Sequence, residues 1–223
     1  MTARDEADGI AQTLEALGRV FPAAPVVVAD DGSRDATAQR ARDFGAIVVS
    51  GSREGKGAAA TRGCLHALEL YGRKPVFVLC DADLGASAAQ LVALRDAIGS
   101  GRGELAIGAF ADRRGGGLGI ALGVAHWCLR RSTGVRLRAP ISGQRALAGT
   151  TLTELLPFAA GYGMELSMTI DALRAGKRIV ELELELDHRR HGRGPAGFAH
   201  RARQLAEFLL ACRRGRPQRS RRP

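Results

Sequence analysis

No stretch of the 223-residue chain approaches the run of about 20 apolar residues that a membrane-spanning helix requires, and its N-terminus lacks the apolar core of a signal peptide. The expected location is the cytoplasm. Cysteine is sparse and scattered: Cys64, Cys80, Cys128 and Cys212 form no CxxC pair, which excludes zinc-site spacing and a disulfide framework. Small core hydrophobes in a reducing compartment are expected instead. Aromatic residues make up 4% of the chain, and Trp127, Tyr71 and Tyr162 are too dispersed to stack successive bases, so nucleic acid is not an expected partner. Acidic residues almost vanish near the C-terminus, where the segment from His188 onward has 11 arginines and one acid, Glu207. The net charge of +10 belongs to that end, which suits a phosphorylated substrate or peripheral contact with the anionic inner face of a membrane. Core-forming material is not lacking: the chain is 45% hydrophobic, and a protein of this length buries roughly 70% of its unfolded surface.

Short β-rich runs alternate with helical patterns, as expected of an α/β protein with a mostly parallel sheet covered by helices. Ile10, Leu14 and Leu17 share one helical face. Val26 to Ala29 reads as a buried strand, Asp35 to Phe44 as a helix, Ala46 to Ser50 as a strand, Ala58 to Tyr71 as a helix and Val76 to Cys80 as a strand. Further on come a strand at Leu105 to Phe110, helices at Ile120 to Ser132 and Met164 to Ala175, and a strand at Ile179 to Leu186. An amphipathic helix is expected at Ala196 to Cys212. The tail 213–223, with six arginines, two prolines and no large apolar residue, is expected to be disordered. One domain over 1–212 follows, with a nucleotide-sugar half at about 1–110 and an acceptor half at about 111–212.

Acidic residues stand at the ends of two of these strands, where open α/β sheets bind ligands. Asp81-Ala82-Asp83 directly follows the apolar strand Val76 to Cys80. Two carboxylates at that spacing suit a hard cation, Mg²⁺ or Mn²⁺, which neutralises a departing diphosphate. A capped turn is the alternative use of the same residues. Asp30 and Asp31, before Gly32, are candidates for a base or ribose, and Asp35 is placed to cap the next helix. Gly55-Lys56-Gly57 opens a helix with small residues and a cation suited to a nucleotide. It is not a P-loop, because Ala58 stands where Ser or Thr is required.

In this order and spacing, the motifs resemble glycosyltransferase family 2, on Ala3-Arg4-Asp5-Glu6-Ala7, VVVADDGSRDAT from Val26, GKGAAATRG from Gly55 and VFVLCDADL from Val76. Ile141-Ser142-Gly143-Gln144-Arg145-Ala146 and Gly161-Tyr162-Gly163-Met164-Glu165 are similar to segments of its polyprenyl-phosphate sugar synthase branch. The resemblance implies the GT-A fold, a mostly parallel, Rossmann-like sheet flanked by helices. It also implies transfer of a sugar from a UDP- or GDP-sugar to a phosphorylated acceptor, either a polyprenyl phosphate or a small molecule. A nucleotide-sugar site of Ala3, Glu6, Asp30, Asp31, Lys56, Asp81 and Ala82 goes with it, with Asp81, Asp83 and His188 as metal ligands. Asp83 and Glu165 are the implied catalytic residues, although a carboxylate at a helix start, as at Glu165, also serves the macrodipole. Gln144, Arg145, Arg189, Arg193 and Arg201 are the implied acceptor or phosphate contacts. The chain departs from the family in two respects. Asp5 replaces its usual Asn, and Met1 and Thr2 alone precede the first motif, leaving nothing for the expected first strand. A non-catalytic nucleotide-sugar or anion-binding protein is the competing reading.

The loop from His188 to Arg193 carries three arginines and no carboxylate, so it is expected to meet phosphate. Each such contact is worth roughly 1.5 to 3 kcal/mol, so Arg189→Ala or Arg193→Ala should lower turnover at least about tenfold in steady-state assays with phosphorylated acceptors. Deletion of the tail after Arg213 should do far less. Wild-type kinetics in both loop variants would make the loop ordinary solvated surface.

Overall fold

The computed structural model describes residues 1–111 and 118–186. The expected helix at 196–212, the basic tail, and His188, Arg189, Arg193 and Arg201 lie outside the described residues.

Three parallel strands form one sheet in the order β1-β2-β3: β1 (Thr2–Ala3), β2 (Val27–Asp30) and β3 (Ile47–Ser50). Helices α1 (Ile10–Val20), α2 (Thr37–Asp43) and α3 (Lys56–Tyr71) alternate with them. A second sheet has the order β4-β6-β5-β7, from β4 (Val76–Leu79), β5 (Leu105–Phe110), β6 (Arg145–Ala148) and β7 (Ile179–Leu184). Its remaining helices are α4 (Val92–Gly99), α5 (Leu118–Thr133), α6 (Gly149–Leu155) and α7 (Met164–Arg174). A single parallel bridge between Thr2 and Asp81 joins the sheets, and the Thr2 N–H donates to the Cys80 carbonyl at 3.1 Å. None of the described helices is long and apolar enough to cross a membrane.

Each expected strand and helix within the described residues forms, with ends shifted by a few residues. Ile10, Leu14 and Leu17 are buried together, as their spacing requires. The first strand corrects the sequence reading: Thr2–Ala3 is long enough to pair with β2, and Ala29 donates its N–H to the Met1 carbonyl at 2.8 Å. β6 was not foreseen as a strand. It runs antiparallel to both β4 and β5, while β5 and β7 are parallel, so the sheet is parallel with one reversed member.

Alternation along the strands fills two cores. Ala106 and Ala146 face Leu84, Leu91 and Leu94, whereas Leu105, Ile107 and Leu147 face Leu152, Leu155 and Met168. Both sheet faces are covered, as a sheet of this type requires. On β7 the apolar residues Val180, Leu182 and Leu184 pack inward. The intervening acids anchor a loop: Glu181 accepts the N–H groups of Arg138 at 2.8 Å and Ala139 at 2.7 Å, and Glu183 pairs with Arg138 at 2.8 Å.

Free Cys64, Cys80 and Cys128 are buried. Burial pushes the thiols of Cys64 and Cys80 up to about 12 and about 11, so both stay protonated and serve as core.

The helix-opening glycine pair seats the loop before α7. Gly55 has φ +94°, a conformation other residues rarely adopt, and a Cβ on Gly57 would stand 1.9 Å from the Ala159 carbonyl oxygen. Gly57→Ala should therefore destabilise the protein by about 1 to 3 kcal/mol in urea unfolding, although alanine favours a helix by roughly 1 kcal/mol. An unchanged or raised urea midpoint would show that the 157–160 segment yields freely.

Candidate active site

The site lies at the carboxyl ends of β2 and β4 and takes in the start of α3, the loop before β6 and the first turn of α7. At the end of β2, Asp30 and Asp31 are both buried. The Asp30 carboxylate accepts the Ser33 N–H at 3.2 Å and the Ser33 hydroxyl, closing the turn. Asp31 accepts the Gly55 N–H at 3.1 Å and pairs with Arg4 at 3.3 Å, so it draws the start of α3 against the strand. The two residues assigned to a base or ribose thus also build the frame for Lys56. Ala3 is buried, and its carbonyl accepts the Asp31 N–H at 2.9 Å. Glu6 is half-buried, with its N–H bonded to the Thr37 hydroxyl at 2.8 Å.

Asp35 stands one residue ahead of Ala36, the N-cap of α2, and braces the helix start: its carboxylate accepts the Thr37 N–H at 3.0 Å and the Ala7 N–H at 3.1 Å. Burial alone would raise its pKa, but the bonds from Thr37 and Ala7 hold it below the ordinary value. The negative charge that Asp5 brings is answered locally, because Arg53 pairs with it at 2.8 Å and the Arg34 N–H donates to it at 2.7 Å. Asp5 has φ +54°, a conformation that Asp tolerates better than most residues.

At the centre, the Lys56 ammonium lies 2.6 Å from Asp81 Oδ1 and 2.8 Å from Glu165 Oε1. Burial would lower the Lys56 pKa, but the charge of Asp81 and then that of Glu165 outweigh it and hold the ammonium well above its ordinary value. The pairing was not legible in sequence, where 109 positions separate Lys56 from Glu165 (165 minus 56).

Gln144 grips Asp81 from the other side. Its Nε2 donates to Asp81 Oδ2 at 2.9 Å, and its Oε1 accepts the Asp81 N–H at 3.2 Å. The Thr2 hydroxyl donates to Asp81 Oδ1 at 3.3 Å. The turn itself is pinned by Thr13, a buried residue that sequence reading overlooked. Its hydroxyl bonds the Ala82 carbonyl at 2.7 Å and the Gly85 N–H at 2.9 Å.

Gln144 and Arg145 were assigned to the acceptor. Both are 0% exposed, and both face inward to protein groups. Arg145 donates from Nε to the Ser142 carbonyl at 2.8 Å and from Nη2 to the Pro140 carbonyl at 2.9 Å, holding the loop that carries Gly143. Burial lowers the Arg145 pKa against the opposing charges of Glu165 and Glu181.

Gly143, named in the sequence only as part of its segment, has a structural role of its own. A Cβ there would stand 2.6 Å from Asp81 Oδ2 and 2.8 Å from Lys56 Nζ, so only a glycine lets the loop pack this closely against both groups. Two carboxylates two residues apart, Asp81 and Asp83, are the kind of oxygen ligands that suit a hard divalent ion. Among the described residues no three His, Cys, Asp or Glu side chains cluster as a metal site, so further ligands would come from a donor diphosphate or from His188.

Known proteins resemble this arrangement. The family model for glycosyl transferase family 2 matches residues 1–162. Glycosyltransferase AglJ of Haloferax volcanii is 29% identical over 157 residues, which are 69% of this chain and 50% of that protein. The chain thus spans about half the length of that relative. Among solved structures, glucosyl-3-phosphoglycerate synthase from Mycobacterium tuberculosis with Mn²⁺, UDP-glucose and phosphoglyceric acid superposes with a TM-score of 0.75 at 27% identity, covering 96% of this chain and 79% of that one. The same enzyme with Mg²⁺ and UDP gives a TM-score of 0.77 at 28% identity, covering 96% and 78%. With the sheet order, the acidic strand ends and a family match over most of its length, this chain belongs to glycosyl transferase family 2.

Proposed function

We propose that the protein is a metal-dependent glycosyltransferase that moves a sugar from a UDP- or GDP-sugar to a phosphorylated acceptor, on one domain of residues 1–212. The observation that carries this reading is the ammonium of Lys56 between Asp81 and Glu165, which brings a donor-side and an acceptor-side carboxylate to one point. Mn²⁺, UDP-glucose and phosphoglyceric acid in the similar synthase support the same substrate classes.

Asp81 and Asp83 would hold Mg²⁺ or Mn²⁺, with His188 as a further ligand, and the bound cation would neutralise the departing diphosphate. Gln144 fixes the orientation of the Asp81 carboxylate through two bonds. Gly143 lets the loop before β6 approach that carboxylate and Lys56 closely. Lys56 supplies a positive charge where phosphate charge develops. Glu165, held by Lys56, takes the proton of an acceptor hydroxyl or positions the acceptor as the glycosidic bond to diphosphate breaks. The arginines at 189, 193 and 201 are assigned to phosphate. Gln144 and Arg145 are reassigned from direct acceptor contact to positioning, since both are fully buried.

A thermal-shift series with UDP and GDP, with and without Mn²⁺, tests the donor assignment. A nucleotide at about 100 times its Kd stabilises by roughly 2.7 kcal/mol, which for a chain of this size is about 5 to 10 °C. That shift should require Mn²⁺ and should disappear in Asp83→Asn, whose own melting should stay near wild type. Equal shifts with EDTA present would overturn the metal assignment. Metal-dependent binding without hydrolysis or transfer of any nucleotide sugar would favour a non-catalytic binding protein.

A further inference from the structure

The protein has two outer sheet edges among the described residues, β3 in the first sheet and β7 in the second, and the sequence treats them oppositely. β7 carries Glu181 and Glu183, and both acids are fastened to the loop at Arg138 and Ala139. Charged side chains on an edge strand keep it from pairing with another chain. β3 has no such guard. Residues 44–50, Phe-Gly-Ala-Ile-Val-Val-Ser, contain no charge and no proline, a composition with which an exposed edge accepts another strand.

The ladder with β2 occupies one side of this strand. Ile47 donates its N–H to the Val26 carbonyl at 2.9 Å, and Gly51 donates to the Asp30 carbonyl at 2.8 Å. In that parallel register Ile47, Val49 and Gly51 face β2, so Val48 and Ser50 turn their N–H and C=O groups outward. Among the described residues no strand pairs with that outer side. The surface around it is apolar as well. Phe44, just before the strand, is 51% exposed, and Leu65 of α3 is 53% exposed. Val49, Leu65, Pro157 and Phe158 line a groove of about 560 Å³ along the α3 face of the strand.

We propose that the β3 edge is a twofold interface at which a second copy of this chain pairs antiparallel, joining the two β1-β2-β3 sheets into one. The outward groups select both the partner and the register. With Val48 opposite Ser50 of the second copy, every outward N–H and C=O of these residues is used, and the twofold closes four bonds. The register with Val48 opposite itself would need the Ala46 N–H, which is already given to the Ala41 carbonyl at 3.0 Å. In the chosen register Val49 stands opposite Val49 of the second copy, a close pair of β-branched side chains on the groove side, and the two grooves meet. The charges agree. Arg42 and Asp43 precede the strand, while Arg53 and Glu54 follow it, so antiparallel pairing sets one mixed pair against another rather than like against like.

Sedimentation velocity of the full chain, with amide exchange at Val48 and Ser50, tests this. The chain should form a dimer as its concentration rises, and both amides should exchange at least about tenfold more slowly in the dimer than in the diluted monomer. Val48→Pro removes an N–H that β2 does not use, and by symmetry two of the four bonds, so the dimer Kd should rise about tenfold or more. Leu65→Arg, at an exposed position, should weaken the dimer likewise and leave the unfolding midpoint near wild type, which keeps the test intact if Val48→Pro fails to fold. A monomer in which both amides exchange fast overturns the proposal. So does a monomer in which both are protected, because another segment of the same chain then covers the edge. A dimer that neither substitution weakens overturns it too, because that dimer forms on another face.

Discussion

One ammonium group, that of Lys56, stands between two carboxylates that reach it from distant parts of the chain. Asp81 arrives at the end of β4 and Glu165 in the first turn of α7, and without a cation between them the two would repel across a largely enclosed space. Lys56 can stand there because the helix that carries it starts abruptly. Gly55 takes a positive φ, Asp31 accepts the Gly55 N–H, and Gly57 lets the 159–160 backbone come close. The donor-side motifs of the sequence are therefore one mechanical unit: the carboxylate after β2 positions the lysine, and the lysine positions the carboxylate after β4.

Around that unit the polar residues mostly serve the frame. Gln144 and Thr2 share the Asp81 carboxylate with Lys56, Arg145 holds the loop of Gly143, and Thr13 fixes the turn at Ala82. A buried polar group without partners costs about 1 to 3 kcal/mol, so these bonds are required before any ligand arrives. The substitution at Asp5 is compensated within the same region, since Arg53 offsets its charge.

The sequence made the βαβαβ half legible because its strands are apolar runs that stop at acidic turns, a pattern visible within ten residues. β5 was read with its observed ends because Leu105 to Phe110 is bounded by polar and glycine-rich flanks. β6 escaped because its first residue is an arginine, which reads as surface until the carbonyls of Pro140 and Ser142 are seen to receive it. The same cause hides the bond of Gln144 to Asp81, which lies 63 positions away. α4 and α6 are a single short helix each, with too few turns for a period of 3.6 to stand out. Lys56, Asp81 and Glu165 were each singled out, but their union needs three-dimensional contact that no spacing encodes.

The central claim is that the charge of Lys56 is set against Asp81 and Glu165 together, and unfolding free energies of a mutant cycle measure it most directly. Lys56 keeps 26% of its side chain exposed, so Lys56→Met should cost about 3 kcal/mol, the low end for an ion pair broken in the interior. Adding Asp81→Asn and Glu165→Gln to Lys56→Met should restore most of that loss, because the stranded negative charges disappear with it. A loss in Lys56→Met that stays the same size after both carboxylates are neutralised would contradict the account.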